Sequence, residues 1–377
     1  MNPDCKFSKL ILSCMLLAGL QAIAESGRQV IPFPAELMER KAMVPQEEME
    51  RVYEEVKTPY KYGIIIPAGD GELIDCPNVF RYKDKWYMMF VVNKDKVGYE
   101  THLACSEDLL NWKRLGRILS FREEGWDKWQ VDGGVALMDY NWGGSASLET
   151  FDDKYWMTYI GGEKQGYEPD PLSIGVAWTS EPDQVSEWNR LEENPVLHNR
   201  QPDVRSFEEL TLYKSHVIRD PEERFGYPFI MYYNGKDGAG SGNEAIGMAL
   251  SKDMRTWHRF GENWIIYNKG ESRWSISGDP QIVRMGNLWV MFYFGAFWKP
   301  DAFDTFACSY DLVNWTKWEG PHLIEPSEPW DKQFAHKPWV IKHEDVVYHF
   351  YCAVGEQGRA IALATSRNLS PSNASGQ

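Results

Sequence analysis

The sequence predicts an all-β protein, a five-bladed β-propeller with a short N-terminal helical extension. The first observation is a tag of the form Ser-x-Asp-Leu/Met-x-x-Trp, which begins at Ser106, Ser251 and Ser309. The second is that five units of about 45–65 residues each pair a short apolar strand with a following strand rich in aromatic residues. Units of this size that each form a small antiparallel sheet are typical of a propeller. The Ser and Asp of the tag suit a turn, while its Leu or Met and its Trp suit the apolar layer.

The composition excludes some classes of partner. The chain has 377 residues, 17 Trp, 19 Tyr and 17 Phe, and a formal net charge of -15. Large aromatic side chains are favoured both in β-sheets and in clefts that bind sugars. An acidic chain without a basic run repels nucleic acid phosphates and anionic membrane surfaces, so we expect no nucleic acid partner.

The N-terminus has the pattern of an export signal. Lys6 and Lys9 precede the mostly apolar segment Leu10–Ala24, which ends in the small-x-small pattern Ala-Ile-Ala. We therefore predict a signal peptide over residues 1–24 and a periplasmic or extracellular protein. The apolar segment is too short for a comfortable transmembrane span, and we expect no transmembrane segment. Acylation of Cys14, as in a lipoprotein, is the alternative that this segment leaves open.

An extension of residues 25–57 precedes the repeats. Within it, Met49, Val52 and Val56 lie at helical spacing behind Pro45. This spacing predicts an amphipathic helix, because the three side chains then share one face. We expect that face to pack on the outside of the main domain.

The propeller domain is predicted to cover residues 58–369, followed by a disordered tail of residues 370–377. The fifth unit ends soon after Leu369 and lacks a fourth strand. We expect the strand Tyr62–Ile66 to supply it and so to close the ring. The predicted first strands are Pro77–Arg81, Gly134–Met138, Ser215–Arg219, Pro280–Arg284 and Pro338–Lys342, and the predicted second strands are Trp86–Phe90, Tyr155–Tyr159, Phe229–Tyr233, Leu288–Tyr293 and Val346–Tyr351.

Four cysteines follow the predicted signal peptide, and all four lie in predicted strands: Cys76, Cys105, Cys308 and Cys352. Because Cys105 and Cys308 occupy the same position of two different repeats, we expect them to be far apart. The sequence therefore predicts four buried thiols that act as small hydrophobic residues. Their spacing is not that of metal ligands.

Polar residues stand at the heads of the predicted inner strands, which line the central funnel of a propeller. Alignment of these strands by their proline or its equivalent brings to one mouth Asp75, Asp132, Tyr213 with Lys214, Asp279, and His336 with Lys337. Glu208 and Glu209 precede the third inner strand. Carboxylates that converge on one pocket are what glycoside hydrolysis needs, because one activates water or attacks and another protonates the leaving oxygen.

The first strand of the Asp-x-Pro type, the Lys-Trp-Tyr-Met sequence of Lys85–Met88 and the repeated tag resemble glycoside hydrolase family 43. More broadly, they resemble the five-bladed propeller glycosidases, which include families 32, 62, 117 and 130. The resemblance covers about residues 58–369. It implies an inverting enzyme with an Asp base on the first blade, an Asp on the second blade that tunes the acid, and a Glu acid on the third.

Carried over by position, the resemblance implies that Asp75 is the base, Asp132 the tuning residue and Glu208 the acid. Two departures from the family pattern bear on these roles. A cysteine separates Asp75 from its proline, and Glu209 followed by Leu replaces a Gly-Pro pair. Glu209 and Asp279 therefore remain alternative acids.

The residues expected to bind substrate are aromatic, cationic or polar side chains near the same mouth: Trp129, Tyr213, Lys214, Gln281, His336 and Lys337. The cations either neutralise the carboxylates or form a site for an anion such as a uronate, a sulfated sugar or phosphate. A central His helps to hold calcium in some propeller glycosidases, so His336 is the one candidate ligand for a structural calcium ion. No cofactor is expected to be required. The segment Gly162–Pro171, which carries Tyr167 and Glu168, is expected to shape the pocket.

We therefore expect an exported glycoside hydrolase that cleaves terminal sugars from polysaccharide-derived oligosaccharides by inversion. A glycoside phosphorylase, as in family 130, is the first alternative, and dependence of activity on added phosphate separates it from a hydrolase. A propeller that binds carbohydrate without catalysis is the second alternative. Several carboxylates at the strand heads argue against it, because simple sugar binding needs fewer buried acids.

Overall fold

The computed structural model describes residues 29–39, 43–270 and 274–369. The strands in these residues form five antiparallel blades of four strands each, as the sequence predicted. Blades 3 and 4 are continuous, because one parallel pair, Glu244 with Ile276, joins them into an eight-stranded sheet. The strand that comes first in each of blades 1 to 4 is the inner strand, which faces the funnel.

The strands are numbered in chain order, starting from β1 (Tyr60–Ile66). Blade 1 contains β2 (Glu72–Tyr82), β3 (Lys85–Lys94), β4 (Tyr99–Ser106) and β5 (Lys113–Leu119). Blade 2 contains β6 (Gln130–Val135), β7 (Tyr155–Gly162), β8 (Ser173–Thr179) and β9 (Asn189–Arg190). Blade 3 contains β10 (Thr211–Arg219), β11 (Phe229–Lys236), β12 (Glu244–Ser251) and β13 (Trp257–Phe260), and a 3-10 turn, Ser206–Glu208, precedes it. Blade 4 contains β14 (Ile276–Met285), β15 (Leu288–Ala296), β16 (Ala302–Ser309) and β17 (Thr316–Lys317), and blade 5 contains β18 (Phe334–His343), β19 (Val346–Gly355) and β20 (Gly358–Thr365).

Strand β1 closes the ring. It pairs antiparallel with β20, from Tyr60 opposite Thr365 to Ile66 opposite Ile361. The N-terminal strand of the domain thus becomes the outer strand of blade 5, which confirms the predicted closure. Blade 5 therefore needs both ends of the domain before its sheet is complete.

The repeated tag forms the same turn in blades 1, 3 and 4. In blade 1, the Ser106 hydroxyl accepts the backbone N–H of Leu109 at 3.0 Å, and the Trp112 indole donates to the Leu109 carbonyl at 2.9 Å. Leu109 has a left-handed φ of 65°, and its equivalents Met254 and Leu312 have φ of 64° and 71°. All three side chains are buried. The tag therefore turns the chain and returns an apolar side chain to the core, as predicted.

The helix Gln46–Val56 confirms the predicted extension helix. It buries Met49, Val52 and Val56 in a hydrophobic cluster between blades 4 and 5. Glu55 on the same helix accepts the indole N–H of Trp142 at 2.8 Å. The helix is thus attached to the outside of the propeller by both apolar and polar contacts.

The four cysteines in the described residues are free thiols. Cys76, Cys308 and Cys352 are buried, as predicted. The prediction was wrong for Cys105, which is only partly buried. It stands near the end of β4, opposite the exposed Lys113 at the start of β5, so the blade edge leaves it accessible.

The predicted signal peptide, residues 1–24, and the predicted tail, residues 370–377, lie outside the described residues. Within the described ranges, no helix is long and apolar enough to cross a membrane.

Candidate active site

Three of the inner strands carry a bulge directly before a proline. The register shifts lie between Asp75 and Asn78 in β2, between Gly278 and Gln281 in β14, and between His336 and Trp339 in β18. The bulged residues Cys76, Asp279 and Lys337 have φ of 54°, 49° and 63°. A bulge re-aims the side chain of its extra residue. Here it brings the three side chains together: the Cys76 sulfur lies 3.9 Å from Asp279 Oδ2 and 3.6 Å from Lys337 Nζ.

Cys76, and not Asp75, therefore occupies the position on blade 1 that Asp279 occupies on blade 4. Asp75 is fully buried, and it does not appear among the described residues that line the active-site cavity. The alignment by proline predicted Asp75 at the mouth of the funnel. It was displaced by one residue, and a displacement of one residue along a strand turns a side chain to the opposite face.

Asp75 instead binds two cations that do line the cavity. Its Oδ2 lies 2.6 Å from Arg359 Nη1 and 3.2 Å from Lys337 Nζ, and the hydroxyls of Tyr99 and Tyr167 each donate to it at 3.3 Å. Burial alone would raise the pKa of Asp75, but the charges of Arg359 and Lys337 outweigh it and hold the pKa far below its usual range. Asp75 is thus a permanent anion that fixes both cations.

The cavity above these residues has a volume of about 340 Å³. Its polar lining includes four carboxylic acids, Asp132, Glu168, Glu244 and Asp279, and four cations, Lys214, Lys236, Lys337 and Arg359. Apolar side chains, among them Phe294, Phe297 and Phe334, form one part of the wall. A concave site of this size with convergent polar groups and an aromatic wall is typical of a small-ligand site.

Asp132 and Lys214, both predicted site residues, form a buried ion pair at 2.5 Å. The Cys76 thiol donates to the second oxygen of Asp132 at 3.3 Å. Lys214 also donates to the Gly133 carbonyl at 3.1 Å. Asp132 is therefore held by partners from blades 1 and 3, which places it on the floor of the cavity.

Glu168 stands on the segment between β7 and β8 that the sequence predicted to shape the pocket. Its Oε1 lies 3.3 Å from Lys337 Nζ, and its φ is 45°. Burial raises the pKa of Glu168, and the charge of Lys337 opposes that rise. A non-glycine residue in the left-handed region is strained, and such strain is concentrated at functional sites. Glu168 is a second cavity carboxylate whose ionisation depends on Lys337.

Glu244, at the start of β12, is the cavity acid that the sequence reasoning missed. Its carboxylate accepts the side-chain amide of Asn234 at 2.9 Å. Burial raises the pKa of Glu244 to about 8, and the nearby Glu168 and Asp279 carboxylates add to the rise against Lys236. Burial also raises the pKa of Asp279 to about 7. Glu244 is therefore mostly protonated at neutral pH.

No local pattern marked Glu244 in the sequence. It heads the third strand of its blade, whereas the prediction considered the heads of inner strands. Glu244 reaches the cavity because its strand pairs with Ile276 of the next blade, three residues before Asp279. This neighbourhood exists only after the blades have assembled.

Glu208 lies outside the cavity lining, in contrast to its predicted role as the acid. It is fully buried and bound by Arg205, by the Arg259 guanidinium and by the Tyr233 hydroxyl, the last at 2.6 Å. Burial would raise the pKa of Glu208, but Arg205 and Arg259 outweigh it and lower the pKa to about 2. A carboxylate held as an anion between two arginines cannot deliver a proton near neutral pH, so its position is that of a structural ion pair.

Three further predicted residues also lie away from the cavity lining. Glu209 is exposed, with its carboxylate beside Gly238. Trp129 packs against Phe121, with ring centroids 5.4 Å apart. Gln281 is buried and joins two blades, because its amide donates to the Val340 carbonyl at 2.9 Å and accepts the Val340 N–H at 2.6 Å.

Tyr213, Lys214, His336 and Lys337 line the cavity, where the sequence predicted them. His336 Nδ1 lies 3.3 Å from the Cys352 carbonyl, and burial lowers the pKa of His336 to about 3, which leaves the ring neutral. In the part of the chain that the structure describes, no group of three or more His, Cys, Asp and Glu side chains has the arrangement of a metal site. The described side chains thus provide no ligand set for the calcium ion considered for His336.

A five-bladed propeller with opposed carboxylic acids in a funnel cavity defines the glycosidase class of this fold. No protein-family model and no curated protein sequence matches the chain. Two solved structures, one described as "Glycoside hydrolase" and one a complex of BT0996 with RGII, each have 47% sequence identity and a TM-score of 0.83, and the match covers 88% of this chain and 97% of theirs. The chain belongs to the propeller glycoside hydrolases, and the protein is a glycosidase.

More distant solved structures share the fold. A thermostable family-43 glycoside hydrolase has 15% identity and a TM-score of 0.59, and the match covers 79% of this chain and 90% of that one. Propellers of families 130 and 32 match at 13% and 15% identity. At these identities the likeness concerns the propeller architecture alone, which agrees with the resemblance seen in the sequence.

Proposed function

We propose that the protein is an exported, inverting glycoside hydrolase that removes a terminal sugar from an oligosaccharide of the kind found in RGII. In this proposal Glu244 is the general acid and Glu168 is the general base. The observation that carries it is the difference in environment between the two carboxyl groups. Glu244 is buried beside other carboxylates and accepts a bond from a neutral amide, whereas Glu168 faces the Lys337 ammonium.

Glu244 suits the acid because burial raises its pKa to about 8. A general acid works best when it is protonated at the working pH and its pKa is near that pH. Glu208 and Asp75, the acid and base implied by the family resemblance, are both held as buried anions by cations. Glu244 replaces Glu208 in the proposed mechanism for that reason.

Glu168 suits the base because the ammonium of Lys337 lies 3.3 Å from its carboxylate and favours the charged form. Glu168 is only partly buried, so water reaches it. Asp132 keeps the supporting role implied by the resemblance, since it holds Lys214 in place at the cavity floor.

The proposed reaction is a single displacement. Glu244 gives its proton to the glycosidic oxygen as the bond from that oxygen to the anomeric carbon breaks. Glu168 accepts a proton from the water that attacks the anomeric carbon from the opposite face. The products are the free sugar with inverted configuration and the shortened oligosaccharide. The inverting course is carried over from the resemblance to family 43.

The shape of the funnel supports cleavage at the end of an oligosaccharide. Below Cys76, Asp279 and Lys337 the funnel narrows to a cavity of about 20 Å³. That volume is close to the space that one water molecule needs. An oligosaccharide therefore cannot thread through the propeller, and the cavity accepts only a terminal part of it.

The proposal of RGII as the source of the substrate rests on the relative BT0996, whose structure is a complex with RGII. Export is proposed from the pattern of residues 1–24, a short positive region, an apolar segment and a small-x-small cleavage pattern.

The test is hydrolysis of oligosaccharides released from RGII, and of a panel of nitrophenyl glycosides, by the protein from Glu25 onwards. Glu244→Gln and Glu168→Gln are each expected to lower kcat by roughly 10²–10⁴-fold, the range that general acid–base groups contribute. Because dinitrophenol leaves without protonation, Glu244→Gln should retain much more activity on dinitrophenyl than on natural substrates. The exposed Glu209→Gln is the matched control, and full activity of Glu244→Gln on natural substrates would refute the assignment.

Two further measurements distinguish the alternatives. The configuration of the first-formed sugar, followed by proton NMR, is expected to be inverted, and retention would refute the single displacement. The four cavity cations favour phosphate as a second reactant, which is the specific argument for a phosphorylase. Each of them faces a carboxylate, however, so hydrolysis is expected to proceed equally with and without phosphate.

A further inference from the structure

A second cavity, of about 400 Å³, lies next to the active-site cavity at the same end of the propeller. Strand β7 ends at Gly162 and β8 begins at Ser173. The segment between them places Tyr167 and Glu168 in the lining of the active-site cavity and Lys164 in the lining of the second cavity. An oligosaccharide that leaves the active site across this segment therefore enters the second cavity.

One wall of the second cavity is an indole in a fixed orientation. The Trp126 ring stacks on Tyr159, with centroids 5.4 Å and planes 27° apart. Two glycines leave space for it, because a Cβ at Gly161 would lie 2.3 Å from Trp126 Cζ3 and one at Gly175 would lie 2.7 Å from Cη2. The Tyr159 hydroxyl is in turn bound to Asp127 at 2.9 Å. A fixed, half-buried indole of this kind offers a surface for the apolar face of a sugar ring.

The charges of the second cavity favour an anion. Lys164 and Arg200 line it together with a single carboxylate, Glu163. The Lys164 ammonium binds a neutral group, the Asp170 carbonyl, at 2.5 Å, and Arg200 is exposed. In the active-site cavity, by contrast, each cation faces a carboxylate. The second cavity thus has an excess of positive charge in a chain with a formal net charge of -15.

We propose that this cavity is a second carbohydrate subsite, which binds a carboxylate-bearing sugar of the substrate such as a uronic acid residue. Trp126 stacks on the sugar ring, and Lys164 and Arg200 bind the carboxylate through charge-assisted hydrogen bonds. The inference rests on the proposed function, because it assigns the part of the substrate that remains outside the active-site pocket. The pocket selects the terminal sugar, and the second subsite selects an acidic neighbour.

The test is equilibrium binding by calorimetry to the full-length Glu168→Gln, Glu244→Gln double variant. The probes are an oligosaccharide with a galacturonate residue next to its terminal sugar and the same oligosaccharide with that carboxyl group reduced to an alcohol. The acidic probe is expected to bind roughly tenfold more tightly or better, as hydrogen bonds to charged groups allow. Adding Arg200→Gln or Lys164→Gln should remove most of that preference and leave the affinity for the reduced probe unchanged.

Two control substitutions sharpen the measurement. Lys113→Gln removes an exposed cation at the start of β5 and should change neither affinity. Glu163→Gln removes the one carboxylate of the cavity and should tighten binding of the acidic probe alone. Equal affinity for the two probes, or a preference that survives both Arg200→Gln and Lys164→Gln, would overturn the proposal.

Failure of this inference can be told apart from failure of the proposed function. The roles of Glu168 and Glu244 are judged from hydrolysis of nitrophenyl glycosides, which do not reach the second cavity. If those roles were wrong, the double variant would hydrolyse the probes, and the same preference would be measured as the ratio of KM values. Arg200→Gln is expected to leave kcat on the nitrophenyl substrates unchanged.

Discussion

Asn234 donates its side-chain amide to the carboxylate of Glu244 at 2.9 Å, and both residues line the same cavity. This hydrogen bond orients the carboxyl group and favours its charged form, whereas burial favours the neutral form and raises the pKa to about 8. The balance between the two effects sets the pH above which Glu244 can no longer act as an acid.

The basic limb of the pH profile is therefore predicted to lie near pH 8. In wild type, kcat/KM should fall as the pH rises through the Glu244 pKa, because the acid is lost. Asn234→Leu removes the bond that lowers this pKa and should shift the limb to higher pH. The measurement is kcat/KM from pH 5 to 10 on a substrate with a poor leaving group. A limb that stays in place in Asn234→Leu would contradict the assignment of Glu244.

The acidic limb is predicted to depend on Lys337. Its ammonium lies 3.2 Å from Asp75 and 3.3 Å from Glu168, so Lys337→Met leaves Glu168 beside uncompensated negative charge. The pKa of Glu168 should then rise, and the acidic limb of kcat/KM should move to higher pH. Asp75 keeps Arg359, so the fold is expected to persist. Lys342→Met is the matched control, because Lys342 belongs to the same strand and pairs with Glu55 on the outside. An unchanged acidic limb in Lys337→Met would remove Glu168 as the base.

Glu208 is predicted to affect stability more than chemistry. Glu208→Gln leaves Arg205 and Arg259 without their buried counter-ion, and breaking such a pair costs about 3–5 kcal/mol. Chemical denaturation should show that loss, whereas the folded fraction should retain its kcat. The exposed neighbour Glu209→Gln should be near neutral. A stable Glu208→Gln protein without activity would restore the role that the family resemblance implied.

The same pair makes a prediction about pH and stability. The folded pKa of Glu208, about 2, lies below its ordinary value of 4.5, so the folded state binds fewer protons in this window. Its stabilising effect is present above pH 4.5 and is lost as the pH falls towards 2. The difference in free energy of unfolding between wild type and Glu208→Gln should therefore shrink over that range. A difference that is constant from pH 5 to 3 would argue against a salt-bridged Glu208.

Closure of the ring by β1 is predicted to stabilise the whole domain. Ile66 is buried opposite Ile361 of β20, whereas Tyr60 at the other end of the strand is exposed. Ile66→Ala should lower the free energy of unfolding by about 2–5 kcal/mol, the usual cost for a buried Ile or Leu. Tyr60→Ala should cost much less. If both variants unfolded at the wild-type denaturant concentration, the strand would not hold the ring closed.

The fold could be predicted from the sequence because its signals are local. The turn at Ser106 and its two repeats, the aromatic strands and the helical spacing of Met49, Val52 and Val56 each lie within a few residues of one another. The missing fourth strand of the last unit even indicated the closing strand. Such patterns report which residues face the core, whatever the distant partner is.

The site was predicted only in part, because convergence depends on register. Asp132, Asp279, Lys214 and Lys337 meet as expected, since they stand at strand heads. The bulge before Pro77 turns Cys76 into the funnel and Asp75 away from it. A shift of one residue decides between these outcomes, and no local pattern in the sequence records it.

The sequence by itself determined the propeller, the ring closure and the end of the funnel at which acids collect. Only the tertiary structure decided which acids can react. Glu208 became a buried counter-ion because Arg259, from a different strand, reaches it, and Glu244 entered the cavity because blades 3 and 4 pair at its strand. The physical reason is that strand formation follows local periodicity, whereas the pKa and the access of a carboxyl group follow burial and charges brought together by folding.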